Sequence, residues 1–182
     1  MPWRGVASAL VSPAMRTLPL LVLLVASTAS AAPKKLTFDD FWTVAGVTRT
    51  DTAETIAKKW GKPKEDKLVE GERTLRFTDG PTVTLRQSGG IMIDMLMLGD
   101  AFVKAHPDAA TSLLGQTCKA AGARLAFFKK GAVPGYLTCK HYDKNGYFID
   151  VTLMCSKTVS TVVVVWEPMP PEVKASPLPD HC

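Results

Sequence analysis

Two turn signals constrain this chain more than any other feature. Asp79-Gly80 separates the runs Arg73–Thr78 and Thr82–Gln87, and Asn145-Gly146 reverses the chain again 66 residues later. An Asp-Gly or Asn-Gly pair between β-prone runs accepts positive φ at both central positions, so it makes a tight hairpin and demands antiparallel neighbours. Helical patterns precede each meander. Thr37-Phe38-Asp39-Asp40 has the form of a helix start, with Phe38, Phe41 and Trp42 as a short apolar face to about Val44. Asp51 caps the next helix and Glu54 answers it; Ala53, Ile56, Ala57 and Trp60 recur at helical spacing, Gly61 supplies a left-handed stop and Pro63 forbids continuation.

Strand periodicity then takes over. Leu68–Glu70 is a weak strand, Arg73–Thr78 and Thr82–Gln87 are stronger, and Ile91–Leu98 is apolar except for Asp94, as a central strand would be. The order recurs: a short helix at Asp100–Ala105, a longer one capped by Asp108 that carries Ala110, Leu114, Cys118 and Ala121 and stops at Gly122, and strands near 124–128, 136–142, 147–155 and 158–166. The last strands of the two halves begin at Ile91 and Val159, 68 residues apart. The expected fold is therefore α+β, with tandem helix-loop-helix plus antiparallel meander units, at residues 32–98 and 99–166, forming one twisted sheet with helices packed on one face. Residues 167–182 carry five prolines and are expected as an extended tail that cannot continue a sheet.

Residues 1–31 read as a secretory signal. Arg4 and Arg16 supply positive charge, Leu18–Ala26 is the apolar core, and Ala29-Ser30-Ala31 suits the small-residue cleavage rule. That apolar core falls well short of the roughly 20 residues of a membrane-spanning helix. Cleavage removes two arginines and no acids, which leaves +3 of the chain's net +5. Lysines and arginines are dispersed, so no basic stripe with stacking aromatics offers a nucleic-acid track. Neither cofactor nor metal is expected: there is no phosphate loop, GxSxG, HExxH or CxxC. All four cysteines, Cys118, Cys139, Cys155 and Cys182, lie beyond the signal, and an even count in an exported chain argues for two disulfides in a secreted or periplasmic protein.

The pattern resembles the β-lactamase inhibitory protein family and the related small outer-membrane assembly lipoproteins. The residues that carry the resemblance are Trp60-Gly61-Lys62-Pro63, Phe77-Thr78-Asp79-Gly80 and the Cys118 to Cys139 spacing. It implies a helix-loop-helix followed by an antiparallel sheet, repeated in tandem, and a Cys118–Cys139 bridge similar to the second-repeat disulfide of the inhibitor. The chain departs from the pattern by lacking a cysteine pair in its first unit and a lipid-bearing cysteine after the signal. Hairpin register about Asn145-Gly146 sets Cys155 three to five residues from Cys139, roughly 10–17 Å at about 3.3 Å per residue, which excludes that pairing. Two connectivities remain; Cys118–Cys139 with Cys155–Cys182 is expected as the simpler.

Strand alternation nominates a binding face. It places Arg76, Arg86, Met92 and Leu96 on one side of the sheet in the first unit, and Lys140, Tyr142, Phe148 and Met154 in the second, while Leu75, Phe77, Val83, Leu85, Ile149 and Val151 turn toward the helices. Arginine, tyrosine, phenylalanine and methionine are enriched at protein interfaces. The expected function is a non-enzymatic module that binds a protein partner through Arg76, Arg86, Lys140, Tyr142, Phe148 and Met154. A small secreted hydrolase using His141 or Asp94, or a cell-envelope assembly or maintenance role, is the alternative. His141 is expected at the inward parity of its strand with Leu137 and Cys139, and Asp94 as a cross-strand partner of Arg86 or Arg76.

Overall fold

A computed structural model describes residues 34–96, 98–127, 135–143 and 146–169. The segment expected as a signal, Asn145, Cys182 and all but three residues of the tail lie outside these. The first helical signal closes early. Thr37 begins a single 3-10 turn, Phe38–Phe41, held by the Asp40 carboxylate accepting from the Thr37 N–H at 2.8 Å. The chain then forms a two-stranded ribbon, β1 (Thr43–Val44) and β2 (Val47–Thr48), around Ala45 and Gly46, both at positive φ. Helix does not continue to Val44 because distant groups take this turn's backbone: Asp108 accepts from the Ala45 N–H, Trp60 Nε1 donates to the Ala45 carbonyl at 2.7 Å, and Lys59 donates to that of Gly46 at 2.8 Å.

Helix α1 spans Ala53–Trp60 and ends at Gly61, φ +88°, as the punctuation predicted. Its cap is Thr52, which exchanges hydrogen bonds with Thr55. Asp51 and Glu54 do not cap it. Asp51 turns back to accept from the Thr48 N–H at 2.7 Å and from Lys59 at 2.6 Å.

The main sheet has seven strands: β3 (Glu65–Val69), β4 (Glu72–Arg76), β5 (Thr82–Leu85), β6 (Ile91–Asp94), β7 (Gly135–Asp143), β8 (Tyr147–Cys155) and β9 (Val159–Pro168). Every pairing is antiparallel, in the order β3-β4-β5-β6-β9-β8-β7. The weak strand expected at Leu68–Glu70 forms earlier, as β3, and Glu70 lies instead in the hairpin that joins it to β4 through Glu70 and Gly71, φ +50° and +83°. Strand β9 runs on through Glu167 and Pro168, contrary to the expected limit at residue 166. Pro168 pairs with Tyr147 at the strand's end, where a missing N–H is tolerated.

Between the two meanders, α2 (Asp100–Ala105) forms as expected, but the long helix from Asp108 does not. A 3-10 turn, Thr111–Leu113, is followed by Gly115 at φ +73°, and α3 spans Cys118–Arg124 with Thr117 as its cap. Gly122 lies inside α3 rather than ending it. The start of β9 breaks the longer helix. Gly115 N–H donates to the Val159 carbonyl, Val159 N–H to Gln116, and Cys118 N–H to Lys157. The strand expected near 124–128 is reduced to one bridge, Leu125 with Leu36.

These contacts decide the disulfide. Thr117 bridges Thr158, so Cys118 sits over the β8–β9 turn and bonds Cys155, Cα to Cα 5.8 Å. Both expected pairings are thereby corrected, Cys118–Cys139 and Cys155–Cys182 alike. Cys139 is itself disulfide-bonded and fully buried, opposite Val151.

One face of the sheet supplies the core. Leu75, Val83, Ile93, Ile149, Val151, Leu153, Val164 and Trp166 form a single cluster with Phe38, Phe41, Ile56, Leu113 and Ala121 from the helical segments. Phe102 of α2 packs against the same cluster. Every described helix therefore rests on this face, and the other carries the candidate site.

Candidate binding face

Register fixes the second face row by row. One row crosses the strands as Arg76, Thr82, Asp94, Val163, Thr152 and Thr138; the next as Thr74, Thr84, Met92, Val165, Asp150 and Lys140. Phe148 lies between Tyr142 and Glu167, and Met154 beside Thr161. Met95 N–H continues the pairing to the Val162 carbonyl, which brings Leu96 next to Thr161. The structure therefore brings together all eight residues that alternation assigned to this side.

Their environments differ. Leu96 and Met154 are 51% and 40% exposed, large apolar side chains at the same end of the face. Tyr142 and Phe148 are part-buried with ring centroids 6.2 Å apart, and Lys140 Nζ lies 5.7 Å from the Phe148 ring and 3.7 Å from Asp150. Arg76 reaches Glu65 at 3.7 Å. Arg86 is committed to Glu167 and lies 3.9 Å from Glu72. Between them run small β-branched residues, with Thr84, Thr152 and Thr161 buried and the hydroxyls of Thr74 and Thr84 (3.3 Å) and of Thr138 and Thr152 (2.9 Å) within hydrogen-bonding distance.

Two carboxylates sit in the middle rows. Burial pushes Asp150 above its ordinary value, partly opposed by Lys140 and the Thr152 hydroxyl. Asp94 is also pushed up by burial, with only the Leu96 N–H in opposition. The expected Asp94 pairing with Arg86 or Arg76 does not form, because Glu167 and Glu65 hold those guanidinium groups. Asp94 faces Thr82 and Val163 instead, and its Oδ1, closed to solvent, has no hydrogen-bond partner. Alternation from Asn145-Gly146 would have found Asp150; nothing in the sequence marks Asp94 as unpaired.

The histidines are placed elsewhere. His141 pairs with Ile149 on the core side and stacks on Phe38, centroids 5.0 Å apart, which in turn stacks on Phe127. It lies on the opposite side of the sheet from Asp94, so the two cannot act on one substrate. His106 packs against Phe102 at 4.5 Å. Among the described residues no three His, Cys, Asp or Glu side chains gather as a metal set.

An open groove of about 380 Å³ lies beside the start of α1, lined by Arg49, Glu54, Arg73 and Arg86 among others. Its cations are already neutralised. Arg49 meets Asp143 at 3.2 Å over the Tyr147 ring, and Arg73 grips Asp66 through two nitrogens and Glu54 through a third. Asp51, also in the lining, carries the clearest acid response. Burial opposes its ionisation, but hydrogen bonds from Lys59, the Thr48 N–H and the Thr55 and Thr48 hydroxyls outweigh it and lower the carboxyl to about 2. A depressed carboxylate contributes stability that is complete above its unfolded pKa and is lost as pH falls through the folded one. Asp51→Asn is therefore expected to cost on the order of 1–2 kcal/mol at pH 7, with the difference from wild type fading between about pH 4 and pH 2 in urea titrations.

Comparison with protein-family models, curated proteins and solved structures finds no match. Among the described residues no helix is long and apolar enough to cross a membrane.

Proposed function

We propose that this chain is an exported, non-enzymatic module that binds a protein partner through the second face of its sheet. The observation that carries the reading is the asymmetry of the sheet: every described helix packs on one face, and the other sets exposed Leu96 and Met154, a Tyr142–Phe148 pair and the cations Arg76 and Lys140 on a rigid platform. Aromatic and arginine side chains at such a surface are the usual sources of binding energy. The Cys118–Cys155 bridge supports a secreted or periplasmic location, since such bonds persist in oxidising compartments. The signal at 1–31 supports it independently, with cleavage after Ala31, checked by intact mass. The 66-residue offset of the two turn signals supports reading the halves as repeats of one unit.

The test begins with the protein as bait for the native exported fraction and continues by variants against the partner recovered. Tyr142→Ala and Lys140→Ala are expected to leave the fold in place, with stability changes within about 1 kcal/mol, while Tyr142→Ala weakens binding by about 2 kcal/mol. Undiminished affinity in both variants, in a folded protein, would move the interface off this face.

A further inference from the structure

The second face is nearly neutral by pairing, with one exception. Arg76 and Lys67 meet Glu65, Arg86 meets Glu167 and Glu72, and Lys140 meets Asp150. Among the described residues, Asp94 alone of the charged groups in the two middle rows has no ionic partner, and one of its oxygens has no hydrogen bond. A part-buried carboxylate in this state costs free energy, because the Leu96 N–H is the only group that opposes its desolvation and one oxygen has no donor at all. Thr161, whose hydroxyl is likewise buried and unpaired, is diagonal to it on the neighbouring strand. Beside them stand Leu96 and Met154, two exposed large apolar side chains of this face that flank Thr161, with Val163 one row on beside Asp94.

An apolar ledge that ends in an uncompensated carboxylate fits one kind of side chain. Lysine and arginine carry a long aliphatic stem and a cationic head, and they bury the first along apolar surface while presenting the second to a charge. A charge-assisted hydrogen bond to a desolvated carboxylate is also among the stronger contacts an interface makes. We propose that Asp94 is the charge-reading position of the face, receiving a lysine or arginine side chain of a protein partner whose stem lies on Leu96, Val163 and Met154. This rests on the reading of the face as a docking surface, and it specifies what the partner must present.

The probe is Nα-acetyl-lysine N-methylamide, with the arginine counterpart, titrated into protein carrying labelled leucine and methionine methyls and followed by NMR. Nα-acetyl-norleucine N-methylamide, which keeps the stem and lacks the charge, is the control. The cationic probes are expected to shift the Leu96 and Met154 methyls saturably, with a dissociation constant in the millimolar range, and the norleucine probe not to. Asp94→Asn should weaken the cationic probes about tenfold. Its thermal midpoint should be unchanged or higher, since the uncompensated charge is gone. Leu96→Ser, at an exposed position, gives an independent variant and should weaken binding severalfold. Equal shifts from norleucine, or undiminished affinity in Asp94→Asn and Leu96→Ser, overturn the proposal. If the cationic probes fail while Tyr142→Ala still loses the recovered partner, the docking surface stands and the role of Asp94 falls. If both fail, the face itself is wrong.

Discussion

Trp166→Ala is expected to destabilise the protein by about 3–5 kcal/mol, enough to threaten the fold by itself. Trp166 is fully buried, stands between Ile91 and Ile149 in the register of β6, β9 and β8, and belongs to the core shared with the helices. Truncation leaves a cavity among β-branched neighbours that belong to three hydrogen-bonded strands and cannot collapse far into it. It also orphans the Phe41 carbonyl, to which Trp166 Nε1 donates at 3.0 Å across 125 residues of sequence. Trp166→Phe separates the two contributions. It keeps most of the volume and loses the hydrogen bond, for about 1–3 kcal/mol. Urea unfolding followed by circular dichroism measures both. With total stabilities of about 5–15 kcal/mol for domains of this kind, the alanine variant should be unfolded or nearly so at 37 °C. A midpoint close to wild type would show that the sheet does not depend on this residue.

The second large effect belongs to the disulfide. Cys118 and Cys155 are 37 residues apart, and closing a loop of that length removes unfolded-state entropy worth about 4 kcal/mol in the chain-entropy treatment. The paired substitution Cys118→Ala, Cys155→Ala is expected to lower stability by about 2–4 kcal/mol. It should chiefly loosen the segment from Gly115 to Arg124, because the bridge and three backbone hydrogen bonds tie that segment to the end of β8, the turn after it and the start of β9. Amide exchange in α3 should rise before that in β8. A non-reducing peptide map should join the peptides containing Cys118 and Cys155; recovery of a Cys118–Cys139 peptide would refute the packing of α3 described above.

Asp94 and Asp51 make opposite contributions in acid. Protonation of Asp51 removes hydrogen bonds that favour its charge, whereas Asp94 and Asp150, pushed up by burial, are relieved by a proton, so they add stability as pH falls through their folded values. The Asp94→Asn protein should gain less on mild acidification than wild type.

Local rules determined the elements whose punctuation lies within a few residues. Helix α1 ends where Gly61 and Pro63 require, and β5 and β6 start where turn residues release them. Alternation with period two also determined the sides: Arg76, Arg86, Lys140, Tyr142, Phe148 and Met154 share a face because a pleated strand leaves no other arrangement. Register about a single turn ruled out Cys139–Cys155, which the observed pairing of Cys139 with Val151 bears out. Tertiary structure decided whatever depended on a partner distant in sequence. The helix expected from Asp108 gives way at Gly115 because β9 offers its backbone groups better-placed partners than the helix does, and that same rearrangement carries Cys118 to Cys155. A cysteine's neighbours in sequence say nothing of which sulfur it will reach, and an aspartate on an alternating strand says nothing of whether a cation will reach it. Arg86 and Arg76 had closer carboxylates in Glu167 and Glu65, the former brought in only when β9 paired beside β6, and Asp94 was left with its charge unmet.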